Sequence, residues 1–150
     1  MDDNTRDPRM EISFPDVNLS RQLFGEHNKN LGRIADALAI SLNARGNTVY
    51  FKGDAIAVDL AKNLLNQLYG LIREGYPVYP RDIDHALKTL SSDDRVKLKD
   101  LFMDTVYVTS TKRPITPKSP VQKEYIDAIR PHDIVFGIGP AGTGKTYLAM

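Results

Sequence analysis

The 150-residue chain contains no cysteine. It can therefore form no disulfide, offer no thiolate nucleophile and hold no metal or iron–sulfur centre through sulfur. Histidine is scarce: His27, His85 and His132 stand far apart in sequence and form no metal-ligand pattern. No apolar stretch approaches the ~20 residues that cross a bilayer. Met1-Asp2-Asp3 is acidic, and no apolar segment follows it as it would in a secretory leader. A cytoplasmic protein without membrane partners is the expectation. Excess charge is missing too: the net charge is +1, which gives no overall pull toward nucleic acid or membranes. The balance is uneven, with six basic against three acidic residues from Val106 onward and fourteen against sixteen before it.

What is present is enough apolar content, 41%, for a packed core. The length suits one ordinary domain, or a small domain and part of a second. Residues 1–9 are polar and read as disordered. Met10 to Phe14 alternates apolar and polar as a strand, ended by Pro15-Asp16. A helical turn from Leu19 to Phe24 breaks at Gly25. A helix from Asn28 to Ala39 then carries Leu31, Ile34, Ala35 and Leu38 on one stripe. Ile40, Leu42 and Ala44, then Val49 and Phe51, alternate as two strands joined through Arg45-Gly46-Asn47. Asp54 suits the start of a long helix whose stripe runs from Ala57 to Ile72, with Gly75 as its stop.

The order β-α-α-β-β-α over residues 10–75 defines a small α+β domain. It resembles the type I KH domain, a nucleic-acid-binding module whose signature is a G-x-x-G loop between its first two helices. Gly25-Glu26-His27-Asn28 stands at that place. The first glycine is present and the second is Asn28, a residue that tolerates left-handed backbone. Glu26 brings a negative charge to the phosphate position, and Lys29 and Arg33 partly offset it. The segment reads either as a clamp for single-stranded RNA or as a plain helix–turn–helix joint.

Tyr76-Pro77-Val78-Tyr79-Pro80 breaks the chain, and residues 76–105 read as a helical linker region. It has two pieces: Arg81 to Leu90, and a second capped by Ser91-Ser92-Asp93-Asp94 and carrying Val96, Leu98, Leu101 and Phe102. Residues 106–150 read as the start of a P-loop NTPase domain. Val106-Tyr107-Val108 is a short strand, Thr109 to Pro120 an extended connector, Gln122 to Arg130 a helix and Ile134 to Ile138 a strand.

That strand leads into Gly139-Pro140-Ala141-Gly142-Thr143-Gly144-Lys145-Thr146, which satisfies the G-x-x-x-x-G-K-[ST] phosphate-loop spacing. The glycines let backbone N–H groups turn inward around a phosphate. Lys145 supplies a point charge for the β and γ phosphates of ATP, and Thr146 a hydroxyl ligand for Mg2+. Phosphoryl transfer also needs a second carboxylate on the metal and a group that positions water. These are not evident in the 150 residues. The chain reads as the N-terminal portion of a longer protein, and its own catalytic competence is not implied.

Gly137 to Met150 resembles the Walker A segment of the PhoH-like ATPases, as does Pro117-Lys118-Ser119-Pro120-Val121-Gln122-Lys123-Glu124-Tyr125 upstream. The resemblance covers residues 10–150. It implies a bacterial, cytoplasmic ATP-binding protein with a RecA-like α/β core, a role in RNA metabolism and room for a homo-oligomer in the full-length protein. It also implies that Gln122 matches an adenine-reading glutamine; as a sequence feature alone, Gln122 serves equally as an exposed helix-start residue. Two other readings remain open: a KH-like RNA-binding module with an idle loop, and a fragment of an AAA-type ATPase, where Gly-Pro-Ala-Gly-Thr-Gly-Lys-Thr also occurs.

Overall fold

The computed structural model describes residues 10–104, 107–108 and 114–150. The expectation of disorder in residues 1–9, and positions 109–113 of the connector expected from Thr109 to Pro120, lie outside the described residues. Two compact units divide the chain, one up to Val96 and one from Lys97.

In the first unit the elements run β1 (Glu11–Ser13), α1 (Val17–Phe24), a 3-10 turn (Glu26–Asn28), α2 (Lys29–Leu38), β2 (Ser41–Arg45), β3 (Thr48–Lys52), α3 (Ala55–Arg73) and α4 (Pro80–Ser92). The expected β-α-α-β-β-α order is present. The three strands form an antiparallel sheet in the order β1-β3-β2, with Ile12 opposite Val49 and Leu42 opposite Phe51. Period-2 alternation sends Val49 and Phe51 into the core. On the other face Ser13 and Thr48 share a hydroxyl hydrogen bond of 2.8 Å.

Helix α1 begins two residues earlier than its apolar pattern indicates. The Asp16 carboxylate accepts from the backbone of Asn18 (2.7 Å) and Leu19 (3.0 Å) and satisfies donors that a helix start leaves free. Asp54 does the same for α3, accepting from Ile56 and Ala57. α3 buries Val58, Ala61, Leu64, Leu65, Leu68 and Leu71, a stripe wide enough to meet both α1 and α4. Phe14 stacks at 4.8 Å on Tyr69 and meets Phe24 edge-on at 6.1 Å, closing the core over β1.

Helix α4 packs on α2 and α3. Its first turn is held by the buried Asp82, whose carboxylate accepts from Tyr79 N–H at 3.0 Å and from the Tyr76 hydroxyl at 3.3 Å. Ser91 and Ser92 do not cap a following helix; both belong to α4. Asp93 instead accepts from the Arg95 backbone and guanidinium in a local turn. Gln67 and Asn63 of α3 tie that turn down by donating to the carbonyls of Val96 and Asp94.

The second unit contains α5 (Leu98–Phe102), β4 (Tyr107–Val108), β5 (Pro114–Ile115), α6 (Pro120–Ile129) and α7 (Lys145–Ala149). α5 starts at Leu98, later than the expected helix. β4 and β5 pair antiparallel, so part of the expected Thr109 to Pro120 connector forms a strand. Asp104 receives Lys123 at 3.1 Å and Arg130 at 2.9 Å, and both cations also reach Asp127. α6 packs on α7, and each helix buries one apolar residue, Ile126 and Leu148. The expected strand at Ile134–Ile138 is not formed. The run pairs with no other strand among the described residues, and Ile134, Phe136 and Ile138 are 76%, 88% and 98% exposed. A β-branched run becomes a strand only when a neighbour takes up its backbone hydrogen bonds.

Candidate functional site

Ser119 opens α6 as its N-cap, accepting from Gln122 N–H at 3.2 Å, and Pro120 at the first helical position needs no hydrogen-bond partner there. This start places Gln122 and, three residues on, Tyr125 on one face of the helix. Both face the glycine-rich loop. The Gln122 amide nitrogen donates to the Thr143 carbonyl at 3.1 Å, and the Tyr125 hydroxyl donates to the Lys145 carbonyl at 3.2 Å. The Tyr125 ring also lies against Gly137, where a Cβ would come within 3.0 Å of it.

Inside the loop Lys145 folds back. Its ammonium donates to the carbonyls of Gly139 (2.7 Å) and Pro140 (2.9 Å) and lies 3.4 Å from the Thr143 hydroxyl. That hydroxyl donates to the Pro140 carbonyl at 2.9 Å. Gly142 and Gly144 have φ of +81° and +87°, and Ala141-Gly142 forms the turn at the loop tip. Thr146 is exposed in the first turn of α7. The structure thus brings together Gln122, Gly139, Pro140, Thr143, Gly144 and Lys145.

Tyr125 and Lys118 were not among the site residues the sequence suggested. Lys118 donates its backbone N–H to the Gln122 side-chain oxygen at 2.7 Å. The i, i+3 spacing from Gln122 could have found Tyr125; no local signal could have found Lys118. Among the described residues no group of three or more His, Asp or Glu side chains is placed to hold a metal ion. Magnesium at this loop would be held by the Thr146 hydroxyl and by phosphate oxygens, a donor set that suits a hard cation.

A second concave feature lies in the first unit. A cleft of about 460 Å³ separates the Gly25–Asn28 turn from the β2–β3 hairpin, with Arg21, Glu26 and His27 on one side and Ala44 and Gly46 on the other. Gly25 is needed twice over. Its φ is +76°, and a Cβ there would stand 2.8 Å from the Asn30 amide, which is itself buried and donates to the Leu23 carbonyl at 3.0 Å. His27 and Asn28 follow with φ of +53° and +58°, so Asn28 does take the left-handed backbone expected of it. Glu26 and His27 are largely exposed at the tip. Arg33 is not free to face a phosphate there: its guanidinium binds both oxygens of Asp84 on α4, at 2.8 and 3.0 Å.

A family match falls on the segment that carries the glycine-rich loop. Residues 114–150 match the PhoH-like protein family. Over 140 residues the chain is 36% identical to a PhoH-like protein of Bacillus subtilis (strain 168), covering 93% of this chain and 43% of that protein. It is 38% identical over 128 residues to a PhoH-like protein of Mycobacterium leprae (strain TN), covering 85% and 36%. A PhoH-like protein of Synechocystis sp. (strain ATCC 27184 / PCC 6803 / Kazusa) is 28% identical over 138 residues, covering 92% and 42%. Over most of its length the chain thus resembles the PhoH-like proteins, with the family match on residues 114–150. It spans about two fifths of the length of these relatives. No solved structure matches it significantly. Among the described residues no helix is long and apolar enough to cross a membrane.

Proposed function

We propose that residues 106–150 begin the nucleotide domain of a cytoplasmic PhoH-like P-loop NTPase and bind ATP with Mg2+ through Gly139–Thr146. The observation that carries this reading is the position of the Lys145 ammonium, drawn onto the Gly139 and Pro140 carbonyls within a loop braced from outside by α6. A cation held by two carbonyls can move a short way onto phosphate oxygens, which are stronger acceptors. Thr146 would add its hydroxyl to the magnesium. Titration of the chain with a fluorescent ATP analogue and Mg2+ should saturate, and Lys145→Ala should weaken binding at least tenfold. Equal binding by the variant would sink the assignment. No turnover is expected from residues 1–150, because no carboxylate cluster for the metal is found among the described residues.

A second reading concerns residues 10–75 as a KH-like domain for single-stranded RNA, and one observation favours it. The cleft beside Gly25–Asn28 lies where the phosphate clamp of such a domain would be. With Arg33 held by Asp84, Arg21 and Lys29 are the cations left to supply attraction on that side. RNA retention should fall with salt and be lost in an Arg21→Glu, Lys29→Glu double variant. Unchanged retention would remove the clamp. In the full-length protein these two activities would meet in one chain, with homo-oligomers as a further expectation.

A further inference from the structure

A glutamine that reads adenine presents its carbonyl and one N–H side by side to the base. Gln122 uses the same two groups within the chain. Its oxygen accepts from the Lys118 backbone at 2.7 Å, and its nitrogen donates to the Thr143 carbonyl at 3.1 Å. The amide orientation is fixed by these partners. Flipped, it would set NH2 against the Lys118 N–H and its oxygen against the Thr143 carbonyl, which are two repulsive contacts. Swinging toward a base would forfeit both bonds. One turn along α6, Tyr125 holds the carbonyl of Lys145. The loop is thus pinned on either side of Gly144, at the carbonyls of Thr143 and Lys145.

We propose that Gln122, seconded by Tyr125, is a positioning residue that presets the phosphate loop, so that it contributes to affinity for the polyphosphate and not to the choice of base. The proposal rests on the nucleotide reading above only for its ligand; the pinning itself concerns the ligand-free chain. Binding of ATP, GTP and inorganic tripolyphosphate, each with Mg2+, should be measured for the whole chain and for Gln122→Ala. Alanine is a good helix former and leaves the Ser119 cap untouched. All three ligands should weaken by the same factor, about fivefold, the value of one hydrogen bond of about 1 kcal/mol. Tyr125→Phe should act alike and to a smaller extent. A loss confined to ATP, with tripolyphosphate unaffected, would make Gln122 a base reader and overturn the proposal. Amide hydrogen exchange without nucleotide gives an independent readout: Thr143 to Thr146 should exchange faster in Gln122→Ala. Unchanged exchange would also overturn it. If the parent chain binds none of the three ligands while exchange still responds, the pinning holds and the nucleotide reading fails.

Discussion

Gly53 precedes α3 where the chain passes against Ile40. A Cβ placed there would stand 2.5 Å from Ile40 Cγ2 and 3.3 Å from its Cα. It would also stand 2.9 Å from Ile40 Cβ, an atom that does not move when the side chain rotates, so a new rotamer cannot relieve the overlap. Gly53→Ala should therefore cost about 1–3 kcal/mol in urea unfolding, whereas Gly32→Ala, with open space around it, should be neutral or stabilising. Asp104 illustrates charge at the same scale. The hydrogen bond from Arg130 holds its carboxyl below the ordinary carboxylate value; Lys123 acts in the same sense, and partial burial opposes them. A depressed folded-state pKa stabilises above the unfolded value of about 3.9. That contribution is lost as pH falls through the lower folded value. Stability measured below about pH 4 should decline less steeply in Asp104→Asn than in the parent chain.

At the scale of elements, α3 carries the first unit. Leu64 is wholly buried, and Leu64→Ala should cost about 2–5 kcal/mol in the same unfolding measurement. Helices with a broad apolar stripe, α2 and α3, were legible because their signal lies within their own residues. The extent of α4 and α5 was not. Ser91-Ser92-Asp93-Asp94 is good capping chemistry, but Asp93 finds Arg95 two residues away, and the serines continue the helix before it. The strand pattern at Ile134–Ile138 was plain in the sequence, but strand formation depends on a neighbour that no local pattern supplies. The glycine-rich loop was legible residue by residue, because its spacing encodes its backbone. Its bracing was not: Gln122 meets Thr143 across 21 residues, and Arg33 meets Asp84 across 51. Such pairs are fixed by packing, and each partner alone looks like an ordinary polar surface residue.

For the whole molecule, composition indicated a modest core and no strong field, and the structure divides that core between two compact units. The family resemblance extends through both, since the matched stretch of the Bacillus subtilis relative covers 93% of the chain. The Ile134–Ile138 run has a consequence of its own at this scale. It is rich in β-branched residues, exposes Ile134, Phe136 and Ile138, and has no ladder on either side among the described residues. Backbone in that state is a template for another copy of itself, the chemistry from which amyloid-like stacking begins. Light scattering should rise steeply with protein concentration, and Phe136→Lys should suppress the rise by placing a gatekeeping charge in the run. Because Ile138 directly precedes Gly139, self-association would begin one residue from the glycine-rich loop. Concentration is therefore a variable in every titration of that loop.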